Sequence, residues 1–242
     1  RDCLLSRGLG DVYKRQILLT AGMFWAIQGY VSYQKAVKEK PLAQAVEEAR
    51  SGAQWASLEQ VPDLYKKAVL AVEDHRYYTH HGIDWISMAR AVVHDIRVMK
   101  PEQGGSTITQ QLVKNMYYDQ NKTLARKAAE AWTALYVERQ LSKEEILELY
   151  INTIYFGDGY YGLKEASLGY FGKEPQELTD SEAVLLAGIP NAPSAYAPSR
   201  HADLALQREK QVLAAMVKYG YLEQSETDSL LWDAAADPVL AR

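Results

Sequence analysis

The chain has 242 residues, 48% hydrophobic and 24% charged, enough for one sizeable domain with a real core. Its formal net charge of -4 gives no electrostatic case for nucleic acid as a partner. The single cysteine, Cys3, excludes an intramolecular disulfide framework and a Cys-rich zinc site.

Arg1 to Gln16 shows no clear helical or strand period. The string resembles a translated sequencing-adapter scar, so residues 1–16 are expected to be a non-native or disordered tail outside the fold. Ile17 to Tyr33 is the only long uncharged run and sits at the lower limit for a bilayer span, about 17–25 residues. Trp25, Tyr30 and Tyr33 suit a membrane interface, and the run is expected to be a transmembrane helix, with a buried soluble helix as the alternative. Basic residues lie on both sides of it and leave it unoriented.

Residues 34–59 read as a charged stalk with some helix, and the dense folded part begins near Leu64. Beyond it, Thr107 with Gln110, Ser142 with Glu145 and Thr179 with Glu182 each have the form of a capping box opening an apolar periodic run. Ala125 to Arg139 carries an apolar stripe at helical spacing. Leu204 to Tyr219 reads as another helix, with Gly220 as its terminator. No convincing alternating strands and no internal repeat are present, so the fold class is mostly α, with a domain over 60–225 and a tail over 226–242.

Four segments carry candidate chemistry. In Ala71 to Gly82 an apolar run leads into Glu73 and Asp74. An acid at the end of such a run is partly desolvated, which raises its pKa and makes it a better base near neutral pH; a solvated helix end with local salt bridges is the alternative. His75, His80 and His81 lie close by, but HExxH is absent and adjacent histidines diverge on a helix, so no zinc site is expected. In Gly104 to Asn115 two glycines precede a capped helix whose start is a natural anion site. Ser106, Thr107, Gln110, Gln111 and Lys114 add polar groups there, and the Walker spacing is missing. Lys122, Arg126 and Lys127 precede Glu130; Arg126 and Glu130 form either a helix ion pair or, with Lys114, part of a pyrophosphate-neutralising cluster. Ile146 to Pro198 alternates glycines with aromatics and includes Asn152 and Tyr155, a pattern that serves a sugar groove or core packing.

Together and in this order, EDHRYYTHHG (73–82), GGSTITQQLVKN (104–115), RKAAE (126–130), ILELYINTIYFGDGYYGLKEAS (146–167) with YFGK (170–173), and REKQVLAAM (208–216) resemble glycosyltransferase family 51. This is the lysozyme-like glycosyltransferase domain of class A penicillin-binding proteins and monofunctional peptidoglycan glycosyltransferases. The resemblance implies a helical, lysozyme-like large lobe and a smaller, partly apolar jaw lobe near the membrane. It places the essential base on Glu73, the second glutamate on Glu130, and the phosphate-holding cations on Lys114, Lys122 and Arg126. Asp74, Ser106, Thr107, Gln110, Gln111, Lys127, Asn152 and Tyr155 are the further substrate-binding candidates. Tyr77 stands where the family has Phe, and Lys122 where an arginine is often found, which keeps the charge but loses bidentate geometry.

The implied reaction joins lipid II to a growing lipid-linked glycan strand on the outer face of a bacterial membrane, inverting the donor anomeric carbon and releasing undecaprenyl pyrophosphate. A divalent cation, magnesium or manganese, would share in holding the pyrophosphate, although the sequence displays no site for one. The cell-wall synthesis machinery is the expected wider partner. A lysozyme-like hydrolase or lytic transglycosylase and a non-catalytic membrane scaffold are the alternatives. The cations argue against the first and the retained acids against the second. No SxxK, SxN and KTG set is present, so the chain as it stands reads as monofunctional.

Overall fold

The computed structural model describes residues 2–51, 54–98, 104–119 and 123–236. In chain order the helices are α1 (Asp2–Glu39), α2 (Leu42–Ser51), α3 (Asp63–Glu73), α4 (Trp85–Val98), α5 (Ile108–Tyr117) and α6 (Leu124–Val137). They continue as α7 (Lys143–Thr153), α8 (Leu163–Phe171), α9 (Asp180–Gly188), α10 (Pro193–Tyr196), α11 (Ala202–Lys218) and α12 (Gln224–Ala236). Short 3-10 turns lie at Tyr77–Thr79, Pro175–Glu177 and Ile189–Asn191. The β structure among the described residues is one isolated bridge between Tyr155 and Tyr161, so the fold is mostly helical, as expected.

The local signals act as read. All three capping boxes form: the Thr107, Ser142 and Thr179 side chains each accept from the backbone N–H three residues on, and Gln110, Glu145 and Glu182 reach back. Gly220, at φ 75, closes α11 in a Schellman turn, with Gly220 N–H bonding Val217 O at 3.1 Å and Tyr221 N–H bonding Met216 O at 2.9 Å. The interior holds α9 almost whole, with Tyr65 and Val69 of α3, Leu112 and Val113 of α5, Ile146 and Tyr150 of α7, and Val212 and Met216 of α11. α3 lies against α9 and α11, and α5 against α6 and α7; α3, α5 and α11 each supply residues to the cleft described below.

The N-terminal third departs from the expected stalk. α2 buries Leu42 and Ala45 and packs on α7 and α5. The extended chain after it is pinned by α7: Ala56 N–H and O both bond the Asn152 side chain at 2.8 Å, and Glu148 accepts from Trp55 Nε1 at 3.2 Å and from Leu58 N–H at 3.1 Å. Such long-range pins leave no periodic trace in a sequence window. The expected tail from 226 is largely α12, with Leu230 buried.

α1 takes in the 17–33 run together with Asp2 to Gln16, where no helix was expected. It docks on α6: a Cβ at Gly29 would lie 2.4 Å from the Ala128 Cβ, Trp132 Nε1 donates to Ala26 O at 3.1 Å, and the Tyr30 and Trp132 rings meet edge to face at 5.4 Å. No described helix is long and apolar enough to cross a membrane. Polar Gln28 and Ser32 and the lysines that follow interrupt the run within the continuous helix.

Gly82 ties the first chemical segment to α5 and α6. Its carbonyl accepts from the Thr107 hydroxyl at 2.7 Å, its φ is +85°, and a Cβ there would sit 2.9 Å from the Ala134 backbone. Gly172 also has positive φ but meets nothing within 4 Å. Gly172→Ala should therefore cost about 1–2 kcal/mol, the left-handed penalty alone. Gly82→Ala should cost about 1–3 kcal/mol more from overpacking, and paired thermal or urea unfolding of the two variants checks the difference.

Candidate active site

α3 buries Tyr65, Ala68, Val69, Leu70 and Ala71, and its last residue is Glu73. The chain leaves the helix at Asp74, whose N–H still bonds Leu70 O. Glu73 thus stands where a core helix meets open space, on the wall of a cleft of about 1020 Å³. Its side chain is only 9% exposed. Burial pushes the carboxyl pKa up; the Gln111 hydrogen bond and the Arg208 charge pull the other way, Asp74 adds to the rise, and Lys114 opposes it. Oε2 accepts from Gln111 Nε2 at 2.7 Å. Oε1 is buried with no hydrogen-bond partner and lies 3.9 Å from the Arg208 guanidinium. One oxygen is held by a hydrogen bond, and the other has none and faces the Arg208 cation.

Asp74 plays a different part. Its carboxylate meets His80 Nε2 at 2.9 Å and accepts from Ile108 N–H at 3.1 Å. The helix start expected to attract an anion is therefore served by the protein's own Asp74. Gly104, Gly105, Ser106 and Thr107 run along the cleft beside it. Gln110 turns away to complete the capping box, its Oε1 accepting from Thr107 N–H at 3.0 Å. Gln111 and Lys114, one and four residues further on, face the cleft. Lys114 is half-buried; desolvation lowers its pKa, while Glu130 favours its charge and Lys127 and Arg126 oppose it.

These last three residues form a cluster on α6. Glu130 is 1% exposed and lies 3.1 Å from Arg126 Nε and 2.9 Å from Lys127 Nζ. The Arg126 contact lacks hydrogen-bond geometry at Nε, and its NH1 is anchored on Asp119 O at 2.8 Å. Lys127 also donates to the Ser106 hydroxyl at 2.7 Å, which couples the cluster to the cleft loop. Lys122 lies outside the described residues.

Two candidates sit elsewhere. Asn152 is fully buried and holds the Ala56 backbone from beneath, because its amide supplies both the donor and the acceptor that one extended residue needs. Tyr155 packs on Tyr161 at 4.8 Å and lines a separate groove of about 400 Å³ with Asn115, Met116 and Tyr118. Of the histidines, His80 serves Asp74, and His75 stacks on Tyr219 at 3.9 Å. Among the described residues no three His, Cys, Asp or Glu side chains gather as a metal site.

The sequence reading left out Arg208, Gln211 and Lys218 of α11 and Arg90 of α4, all on the cleft wall. Residues 208, 211, 215 and 218 recur at three- and four-residue steps, the period of one helix face. That face, with a cation at each end and Gln211 between them, was the available signal.

A family profile described as "Transglycosylase" matches residues 38–217, beginning within the expected stalk. Penicillin-binding protein 2D of Bacillus subtilis is 44% identical over 177 residues, 73% of this chain and 26% of that protein. A Cupriavidus necator protein named as a candidate transglycosylase is 37% identical over 216 residues, 89% of this chain and 93% of that protein. The solved penicillin-binding protein 1A of Haemophilus influenzae aligns with a TM-score of 0.45 at 24% identity, over 77% of this chain and 18% of that one. The chain thus spans about a quarter of the length of the penicillin-binding relatives it matches.

The raised pKa of Glu73 makes a stability prediction. An acid whose folded pKa lies above its unfolded value contributes stability at low pH that is lost as pH rises through the folded pKa. Glu73→Gln, which stays neutral, should therefore unfold at a higher temperature than wild type at pH 8. The gap should close as pH falls toward 4.5, the ordinary glutamate value. Thermal scans across that range check it.

Proposed function

From the premise that the chain belongs to the transglycosylase family, we propose that it is a peptidoglycan glycosyltransferase that polymerises lipid II. The observation that carries this reading is a buried carboxylate with one unbonded oxygen, Glu73 Oε1, in the same cleft as the half-buried cation Lys114.

In this reading Glu73 Oε1 takes the proton of the acceptor sugar 4-hydroxyl. The hydroxyl oxygen attacks the donor anomeric carbon from the face opposite the pyrophosphate. The new C–O bond forms as the bond to the phosphate oxygen breaks, and undecaprenyl pyrophosphate leaves with the electron pair. An α link thereby becomes a β link. Lys114, with Arg126 and Lys127 behind it, stabilises the charge growing on the leaving group. Glu130 acts by holding Arg126 and Lys127 in place, and the Ser106 contact sets the loop against them. Gly104 to Thr107 shape the donor side. Among the described residues, Glu130 is engaged by two cations and Asp74 by His80 and Ile108, so neither stands as a ready ligand for magnesium or manganese.

Membrane attachment accords with the surface. Ile17, Leu19, Met23, Phe24 and Ile27 of α1, Trp85, Ile86 and Val93 of α4, and Leu124 of α6 are all exposed. In this reading α4 belongs to the jaw, the α3, α5, α7, α9 and α11 core is the lysozyme-like lobe, and α1 anchors the chain at the extracytoplasmic face. An enzyme held at the surface meets two lipid-tailed substrates at high effective concentration.

Purified protein incubated with lipid II should give glycan polymer. Glu73→Gln should lower the rate about 10²–10⁴-fold, the range for loss of a general base, and Lys114→Ala about 10²–10³-fold, as for loss of one group that stabilises transition-state charge. Wild-type rates from folded Glu73→Gln would reject the base, and release of soluble fragments from cell-wall sacculi would favour a hydrolase.

A further inference from the structure

Tyr150 lies on α7, 1% exposed, and is absent from the cleft wall. Its hydroxyl donates to Gln111 Oε1 at 3.4 Å, and Gln111 Nε2 donates to Glu73 Oε2 at 2.7 Å. The three side chains form a line from the core to the carboxylate. A side-chain amide has two unlike ends. Reversed, it would set its own oxygen against a carboxylate oxygen, in a site where little water screens the repulsion.

We infer that Tyr150 is a positioning residue: its hydroxyl fixes the Gln111 amide so that the NH2 end stays on Glu73 Oε2 and Oε1 remains the proton-accepting oxygen. The inference rests on the reading of Glu73 as the base. The phenol is suited to the task because burial, then the nearby Glu73, hold it protonated, so it stays a donor at working pH. Tyr65 is a useful contrast. It is equally buried and also feels Glu73, but its hydroxyl has no hydrogen-bond partner, so it makes no hydrogen bond to Gln111. The charged groups facing Glu73 are Asp74 at the end of its own helix, Arg208 from α11 and Lys114 from α5. α9, also packed on α3, presents the apolar run Ala183 to Gly188 and binds its Glu182 to Lys173. None of these is changed by removing the Tyr150 hydroxyl.

Tyr150→Phe keeps the ring and deletes the donor. Lipid II polymerisation by wild type, Tyr150→Phe and Tyr65→Phe is followed from pH 5.5 to 9. A hydrogen bond to the charged form lowers an acid's pKa, so weakening it raises the pKa of Glu73. The acid limb for Tyr150→Phe should move up by about half to one pH unit, a roughly three- to tenfold loss on the acid side of the limb that is recovered on its plateau, with KM unchanged. Tyr65→Phe should keep the wild-type limb. An unshifted limb in folded Tyr150→Phe, an equal loss at every pH, or the same shift in Tyr65→Phe overturns the inference. Carbon-13 NMR titration of the Glu73 carboxyl in wild type and Tyr150→Phe tests it without turnover: a raised midpoint supports it and an unchanged one overturns it. If wild type makes no polymer, the proposed function fails while that titration still decides the role of Tyr150.

Discussion

Glu73 sits where a core helix runs out. Had α3 ended a turn earlier, the carboxylate would be solvated and its pKa ordinary; a turn later, it would be sealed from any substrate. The surrounding structure serves this placement. α9 and α11 press on α3 from one side. From the other, Asp74 receives the first N–H of α5, and Gln111 one turn later caps Glu73 itself. Neighbouring acids in the chain thus divide the work: one locks two helices together, and the other keeps an oxygen free.

The cations are placed with similar economy. Glu130 is buried among Arg126, Lys127 and, within electrostatic reach, Lys114. A lone buried carboxylate would be costly, and a lone set of cations would repel itself; together they form a preorganised positive wall. The Ser106 hydroxyl joins that wall to the loop along the cleft. In the proposed reaction little would have to reorganise on diphosphate binding, which is the condition under which electrostatic stabilisation is most effective.

Much of the fold was legible because its signals are local. Three capping boxes and the glycine ending α11 each involve residues within a few positions of one another, and the structure forms all of them. Glu73, Gln111 and Lys114 stood out as candidates because an acid closes an apolar run and polar groups follow a capped helix start, and the structure brings all three to one cleft. What escaped was long-range. Asn152 holds Ala56 across 96 positions, a contact that the aromatic, glycine-rich segment around it does not announce. Asp74 read as a second ligand for substrate, but its anion-binding helix was already satisfied by it. Arg208 was hidden because cations spaced along an amphipathic helix look like any solvated face until the helix it crosses is known. The 17–33 run has the length of a marginal span, but its role in packing on α6 depends on Gly29 meeting Ala128, a contact no hydropathy window contains.

The central claim is that the acid at the end of α3 and the cations of α5 and α6 act on one bound substrate pair. A crystal structure of the Glu73→Gln variant with lipid II bound tests it most directly. The account predicts the acceptor 4-hydroxyl at roughly 3 Å from the side chain at position 73, with the donor diphosphate against Lys114. A diphosphate held elsewhere, with no sugar hydroxyl near that side chain, would contradict it.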